Sequence, residues 1–266
     1  IEFALGSSLF KRTSTGMELT EEGREFLRSA SEILQKMDEA LRFTRKIGMK
    51  KGKISIAASY TVLGYFLPFH LDRLRRHYPG IEIQVHELRR EQIEEGLIAN
   101  RFDLAIVLTS NVLNSDLESE TLFRSHRRLW VPNGHEFAKQ KTVSFAEIAE
   151  RPYIMLTIDE AAHTTMRYWG ENGHAPNVSL RTSSVEAVRS TVANGAGITI
   201  LSDMVYRPWS LEGKRILKIA TQPEAPTMDI GLAWNKKKEL SPIAETVLRY
   251  FRQSFIMPEN QIFESY

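Results

Sequence analysis

The chain has 266 residues, 42% of them hydrophobic and 26% charged, an ordinary globular balance that suits one large or two medium domains, each with its own core. It has no cysteine, which excludes disulfides, thiolate nucleophiles and cysteine-type zinc sites. The net charge of +2 hides a bias: residues 1–53 carry 11 Lys/Arg against 8 Asp/Glu and the remainder 24 against 25, a difference that a solvated basic helix explains as well as nucleic acid does.

Taken in chain order, the first legible stretch is "LFKRTSTGMELTEEGREFL", residues 9–27. Two short strands around a Thr-Gly turn lead to Thr20, a natural N-cap, and to Glu21 and Glu22, which place negative charge where a helix dipole favours it. The helix is expected to run to about Lys46. Leu27, Ala30, Leu34, Met37 and Leu41 alternate by three and four, and Phe26, Ile33, Ala40 and Ile47 recur every seven residues beside them. So broad an apolar stripe calls for a second helix, most simply its own copy in a dimer. The basic, glycine-containing "RKIGMKKGK" that follows reads as a linker.

From Lys53 the texture becomes alternating strands and helices. "KISIAAS" and "IEIQVHE" read as strands around one helix over Val62–His77, stopped by Pro79-Gly80; a helix over Arg90–Asn100 leads to "DLAIVL", a strand buried on both faces. This β-α-β-α-β order predicts a largely parallel sheet. A second series begins near Arg127: "RLWVPN", a helix over Ser144–Glu150, "YIMLT", a helix over Ala161–Asn172, "NVSLR", a helix over Val185–Asn194, and "ITILS". "TMDIGLAWN" and a helix over Ser241–Phe255 have too little partner structure to form a third domain and are expected to return to the first lobe.

The chemistry that is missing narrows the function. No His-Glu-x-x-His pair, no Gly-x-Ser-x-Gly elbow and no Gly-x-x-x-x-Gly-Lys-Ser/Thr loop occurs. Gly195-Ala196-Gly197 precedes a strand instead of opening a helix, which fits a helix C-cap better than a dinucleotide loop. His126 and His135 have no third ligand at sensible spacing. An enzyme is therefore the weaker reading, and no cofactor or metal is expected. No secretory signal and no apolar run near the roughly eighteen residues of a membrane span occurs, so a cytoplasmic protein without membrane contact is expected.

Four stretches, "LGSSLFKRTSTGMELTEEGREFL", "ISIAASYTVLGYFLPFHLDRLRRHYPGIEIQV", "RFDLAIV" and "TSSVEAVRSTVANGAGITIL", together resemble a LysR-type transcriptional regulator along nearly the whole chain. The resemblance implies a winged helix-turn-helix, a dimerising linker helix and two Rossmann-like lobes joined by a two-stranded crossover hinge, like periplasmic solute-binding proteins. On that pattern residues 1–19 are a remnant of the winged helix-turn-helix, with its first two helices absent. Residues 20–52 are the linker helix and linker, 53–124 with 228–256 lobe I, 125–227 lobe II, and 257–266 a tail. The crossovers are expected near Phe123–Arg128 and Thr227–Trp234.

Ligands of open α/β sheets bind beyond the carboxyl ends of strands. Ser59-Tyr60-Thr61 and Thr182-Ser183-Ser184 occupy two such strand-to-helix junctions, where hydroxyls and exposed N–H groups favour an anion, although on residue types alone plain helix capping is the commoner role. The resemblance implies the first use: an effector, expected to be a carboxylate, held by Ser59, Thr61 and Thr182, with Ser183 and Thr109 in support. Tyr60 either lines the cleft or packs against its lobe. It also implies that Lys11 and Arg12 approach promoter DNA on the wing, and that the protein is a homodimer or homotetramer. A solute-binding protein of a transporter, built on the same two lobes, is the alternative.

Overall fold

The computed structural model describes residues 2–13, 16–45 and 51–256 and divides into two units, Ile1–Lys50 and Lys51–Tyr266. In the first, helix α1 (Glu2–Leu5) precedes the antiparallel strands β1 (Phe10–Thr13) and β2 (Gly16–Leu19), which pair from Phe10 with Leu19 to Thr13 with Gly16. Helix α2 covers Glu21–Arg45. Thr20 caps it by accepting from the Gly23 N–H at 2.9 Å while its hydroxyl donates to the Ser8 carbonyl at 2.7 Å. Gly23 is required here, since a Cβ would lie 2.0 Å from the Leu9 carbonyl oxygen. Along the expected seam, Ile33 is 67% and Met37 50% exposed within the single chain. Ile47 and the tail 257–266 lie outside the described residues.

The second unit holds two sheets. Its first comprises β3 (Gly52–Ala58), β4 (Ile81–Glu87), β5 (Leu104–Leu108), β6 (Leu117–Ser125) and, from the far end of the chain, β13 (Met228–Asn235), in the order β4-β3-β5-β13-β6. Strands β4, β3 and β5 are parallel, and β13 runs antiparallel to both β5 and β6. Strand β5 is buried along its whole length, as an unbroken apolar run demands. Helix α5 (Arg90–Ile98) follows β4, and α9 (Pro242–Ile256) closes the described chain.

One helix was expected over Val62–His77, and the structure has two, α3 (Tyr60–Tyr65) and α4 (Leu67–His77), broken at Phe66 with φ −115° and ψ −51°. Pro68 is the cause: it lacks an N–H, and its ring would crowd the Gly64 carbonyl one turn back.

The second sheet contains β7 (Arg127–Pro132), β8 (Thr142–Ser144), β11 (Thr199–Ser202) and β12 (Ile216–Gln222) in the order β11-β7-β12-β8. A parallel pair, β9 (Pro152–Leu156) and β10 (Asn177–Thr182), joins it through a bridge between Tyr153 and Ile198. Helices α6 (Phe145–Ala149), α7 (Ala161–Glu171) and α8 (Val185–Ala193) connect these strands. Strands β6, β8 and β12 were not foreseen.

The chain crosses between the sheets at His126 and returns through residues 223–227; β13, expected to include the second crossing, lies wholly in the first sheet. The main core runs across both lobes, from Ile54, Ile56 and Leu71 through Val62 and Phe66 to Val185, Met204 and Val205. It therefore sets α3 beside the start of α8.

Candidate functional site

Strand β3 delivers the chain to Ser59, whose extended backbone and carbonyl, accepting from the Leu63 N–H at 2.9 Å, make it the N-cap of α3. Its hydroxyl does not cap. Ser59 Oγ has no hydrogen-bond partner although the residue is 6% exposed, and an unpaired buried hydroxyl costs about 1–3 kcal/mol. The Thr61 N–H, two residues on, donates instead to Asp159 Oδ2 at 2.6 Å, a carboxylate 98 positions away on the other lobe. Tyr60, between them, is exposed.

The second junction is resolved locally. Ser184 Oγ accepts from the Ala187 N–H at 3.1 Å and caps α8, while Thr182 Oγ1 accepts from the Ser184 N–H at 3.1 Å. Ser183 is exposed. The Thr182 carbonyl accepts from the Thr157 N–H at 2.9 Å, so this junction lies beside the turn that carries Asp159, and Tyr65 at the end of α3 reaches Glu186 in the first turn of α8 at 3.4 Å. The two strand ends therefore converge.

That turn, Ile158–Glu160, was not anticipated. Asp159 (φ 49°) and Glu160 (φ 58°) are consecutive non-glycine residues in the left-handed region, each at a cost of roughly 1 kcal/mol or more. Their contacts run to the other lobe: Asn111 Nδ2 donates to the Asp159 carbonyl at 3.4 Å and to Glu160 Oε2 at 3.3 Å, and Arg90 Nε lies 3.5 Å from Glu160 Oε1. Arg90 also pairs with Glu94 at 3.2 Å and Glu91 at 2.5 Å. Burial pushes the Glu160 carboxyl above its ordinary range, and Arg90 pulls it back only in part. Beside these groups lies a small cavity of about 20 Å³, lined by Ser59 and by the apolar side chains of Ile93, Leu97, Val107 and Val112. The rule that ligands gather beyond strand ends, applied to "YIMLT", would have pointed to Asp159 and Glu160 as well.

The family described as "LysR substrate binding domain" matches residues 48–256. The chain belongs to the LysR family. The HTH-type transcriptional activator CmpR of Synechocystis sp. is 28% identical over 250 residues, spanning 93% of this chain and 81% of its own. The crystal structure of HinK, a LysR family regulator from Pseudomonas aeruginosa, is 27% identical, covers 96% of this chain and 85% of that one, and superposes with a TM-score of 0.73. The effector-binding domain of QuiR, solved with shikimate, shares the fold at a TM-score of 0.64 and 19% identity, covering 78% of this chain and 98% of that one. Such relatives are transcriptional regulators, not enzymes or transporter components. This chain is accordingly a ligand-responsive regulator of the LysR type, and the solute-binding alternative falls.

The remaining expected LysR site residues fall elsewhere. Thr109 opens a 3-10 turn after β5, and its hydroxyl shares a 2.7 Å hydrogen bond with Thr121 and reaches the Asp229 carbonyl at 3.4 Å, so it braces the turn that ends in Asn111 without lining the pocket. Lys11 is exposed on β1, and Arg12 follows it on the same strand. Among the described residues no group of three or more His, Asp or Glu side chains could hold a metal ion. His126 instead pairs with Glu224 at 2.9 Å, and His135 Nδ1 accepts from the Phe137 N–H at 3.2 Å. No described helix is long and apolar enough to cross a membrane.

Proposed function

We propose that this LysR-type regulator works in the cytoplasm as a homodimer or homotetramer, binds promoter DNA, and responds to a small carboxylate held between lobe I, residues 53–124 with 228–256, and lobe II, residues 125–227. One observation carries the ligand reading. A carboxylate, that of Asp159, already sits on the Thr61 N–H beside the partnerless Ser59 hydroxyl and a largely apolar pocket. A group that accepts hydrogen bonds and carries negative charge is what this junction stabilises. Ser59 and Thr61 hold the effector from lobe I and Thr182 from lobe II, with Tyr60 and Ser183 at the rim and Thr109 bracing Asn111 from behind. QuiR, whose effector-binding domain was solved with shikimate, supports a small acceptor-rich ligand for this fold.

A thermal-shift screen of small organic acids, followed by calorimetry, tests the site. Ser59→Ala should weaken the best ligand by roughly tenfold, the size of one lost charge-assisted hydrogen bond. Unchanged affinity would place the effector elsewhere.

On the DNA side, Lys11 and Arg12 contact phosphate and position the wing. Charge reversal at both should weaken binding about equally across sequences and lower the salt slope by roughly one per lost contact. The helix α2 interface accounts for Ile33 and Met37, and replacing both with Asp should dissociate the homodimer in light scattering.

A further inference from the structure

Resting on the effector reading above, we propose that the Asp159–Glu160 turn is an internal ligand, whose two carboxylates occupy seats that a small dicarboxylate takes by displacing them. The seats are distinct. Asp159 Oδ2 accepts from the Thr61 backbone N–H at 2.6 Å, and Glu160 accepts from Asn111 Nδ2 at 3.3 Å and faces Arg90 Nε at 3.5 Å. The lobe I groups that bond them, a backbone N–H, an amide NH₂ and a guanidinium, are donors, with Glu91 and Glu94 on the far side of the guanidinium. A displacing ligand must therefore supply acceptors in both places. A monocarboxylate fills one seat and leaves the donors of the other without their anion. A cation would meet carboxylates that are already engaged and would leave the lobe I donors empty once it drew the turn away.

Two further observations show a built site. Ser59 Oγ, on a residue 94% buried by its 6% exposure, has no partner and lines the cavity beside the turn, where an added acceptor or donor would satisfy it. That small cavity, about 20 Å³, is also lined by Ile93, Leu97, Val107 and Val112, so a hydrocarbon spacer between two acid groups would meet apolar side chains there once the turn has moved away.

The turn also bears the marks of a contact held against local preference. Asp159 and Glu160 sit at φ 49° and 58°, a conformation suited to glycine, yet both positions carry acidic side chains directed across to the other lobe. An internal ligand lowers the apparent affinity for an external one by the fraction of molecules in which it is displaced. The regulator would then ignore low ligand concentrations and respond only when the external diacid outcompetes the turn.

The test is calorimetry of the whole chain with straight-chain dicarboxylates from succinate to suberate and with monocarboxylates of matching length. At least one diacid should bind, the matching monoacid about tenfold more weakly, and Asp159→Gly with Glu160→Gly should bind the diacid about tenfold more tightly than the parent. Glycine suits both backbone angles, so this variant folds, and Asp159→Asn with Glu160→Gln provides a second that keeps the side-chain shapes and should change affinity in the same direction. Hydrogen exchange at the Thr61 amide should quicken in the glycine variant and slow again on adding the diacid. A turn that is only structural would give quickening that no acid reverses. No diacid binding to the glycine variant, or equal affinity in parent and variant, overturns the proposal. Ser59→Phe separates the two readings. Diacid binding that survives it sinks the effector site itself, whereas binding lost with Ser59→Phe but not tightened by the glycines sinks the internal ligand alone.

Discussion

The two helix starts that meet between the lobes are built from the same kinds of residue and are satisfied in opposite ways. At α8 the hydroxyls of Thr182 and Ser184 close the cap locally, within two and three residues. At α3 the Ser59 hydroxyl bonds nothing and the Thr61 N–H reaches 98 positions along the chain. Support from behind differs in the same sense. Helix α8 is anchored by Arg189, 2% exposed, which binds Glu186 at 3.0 Å, the Val205 carbonyl at 2.9 Å and the Arg207 carbonyl at 3.1 Å, and lies over the Trp130 ring. Behind α3, α4 instead buries His70, both ring nitrogens without a partner, among Phe66, Phe251 and Phe255. A serine or threonine at a strand end thus reports a helix start, and only its partners tell a finished cap from a site left open. The start of α8 is closed by its own hydroxyls, and the start of α3 is closed only by the other lobe.

The strongest way to break this contrast is to remove the anchor of α8. Arg189→Ala leaves the Val205 and Arg207 carbonyls without their donor inside the core, while the half-exposed Glu186 loses a partner in water, and two unsatisfied buried acceptors cost about 2–4 kcal/mol together. Urea unfolding should show that loss, and Arg189→Met, which restores packing but no donors, should recover only part of it. A loss below about 1 kcal/mol in Arg189→Ala would mean that α8 does not depend on its buried network.

Much of this arrangement was legible beforehand, and what escaped did so for identifiable reasons. Strands β3, β4, β5 and β13 stand out as apolar runs, and Ser59, Thr61 and Thr182 follow from the strand-end rule. The break at Phe66 is written in Pro68, a helix breaker masked by the amphipathic pattern on either side of it. Strand β6 escaped because "LESETLFRS" carries charge on its exposed face, and β8 because three residues make no pattern. Gly231 shows why β13 belongs where it is: a Cβ there would lie 2.0 Å from the Glu120 carbonyl oxygen of β6. Asp159 and Glu160 lie beyond the end of "YIMLT", where the strand-end rule reaches, whereas their partners Asn111 and Arg90 stand 49 and 70 positions from Glu160, and no local spacing encodes a contact of that range.

The second prediction sharpens the comparison through pH. Burial, reinforced by the charge of Arg73, holds the His70 imidazole down to about 4, against 6.5 for a free side chain. Between those values the unfolded chain binds a proton that the folded chain excludes, so stability is fully present above pH 6.5 and falls as pH drops toward 4. The loss reaches up to about 3 kcal/mol at the acid end. His70→Leu should remove this slope, giving a variant that melts higher than the parent at pH 4.5 by far more than at pH 7.5. Parallel melting curves across that range would show that the aromatic packing around His70 does not exclude the proton.

The smallest effects discriminate most finely, because they compare two serines that differ only in what they bond. Ser184→Ala removes the acceptor for the Ala187 N–H and should cost about 1 kcal/mol, the usual price of an N-cap. Ser59→Ala removes no hydrogen bond and relieves a buried unpaired hydroxyl, so stability should stay within about 0.5 kcal/mol or rise. Ligand affinity should follow the reverse order, with Ser59→Ala weakening the effector and Ser184→Ala leaving it nearly unchanged. Chemical denaturation and calorimetry on the same two proteins read both columns of this cross. If Ser59→Ala destabilises as much as Ser184→Ala, the Ser59 hydroxyl is an ordinary cap in solution, and the opening at α3 on which the effector site depends does not exist.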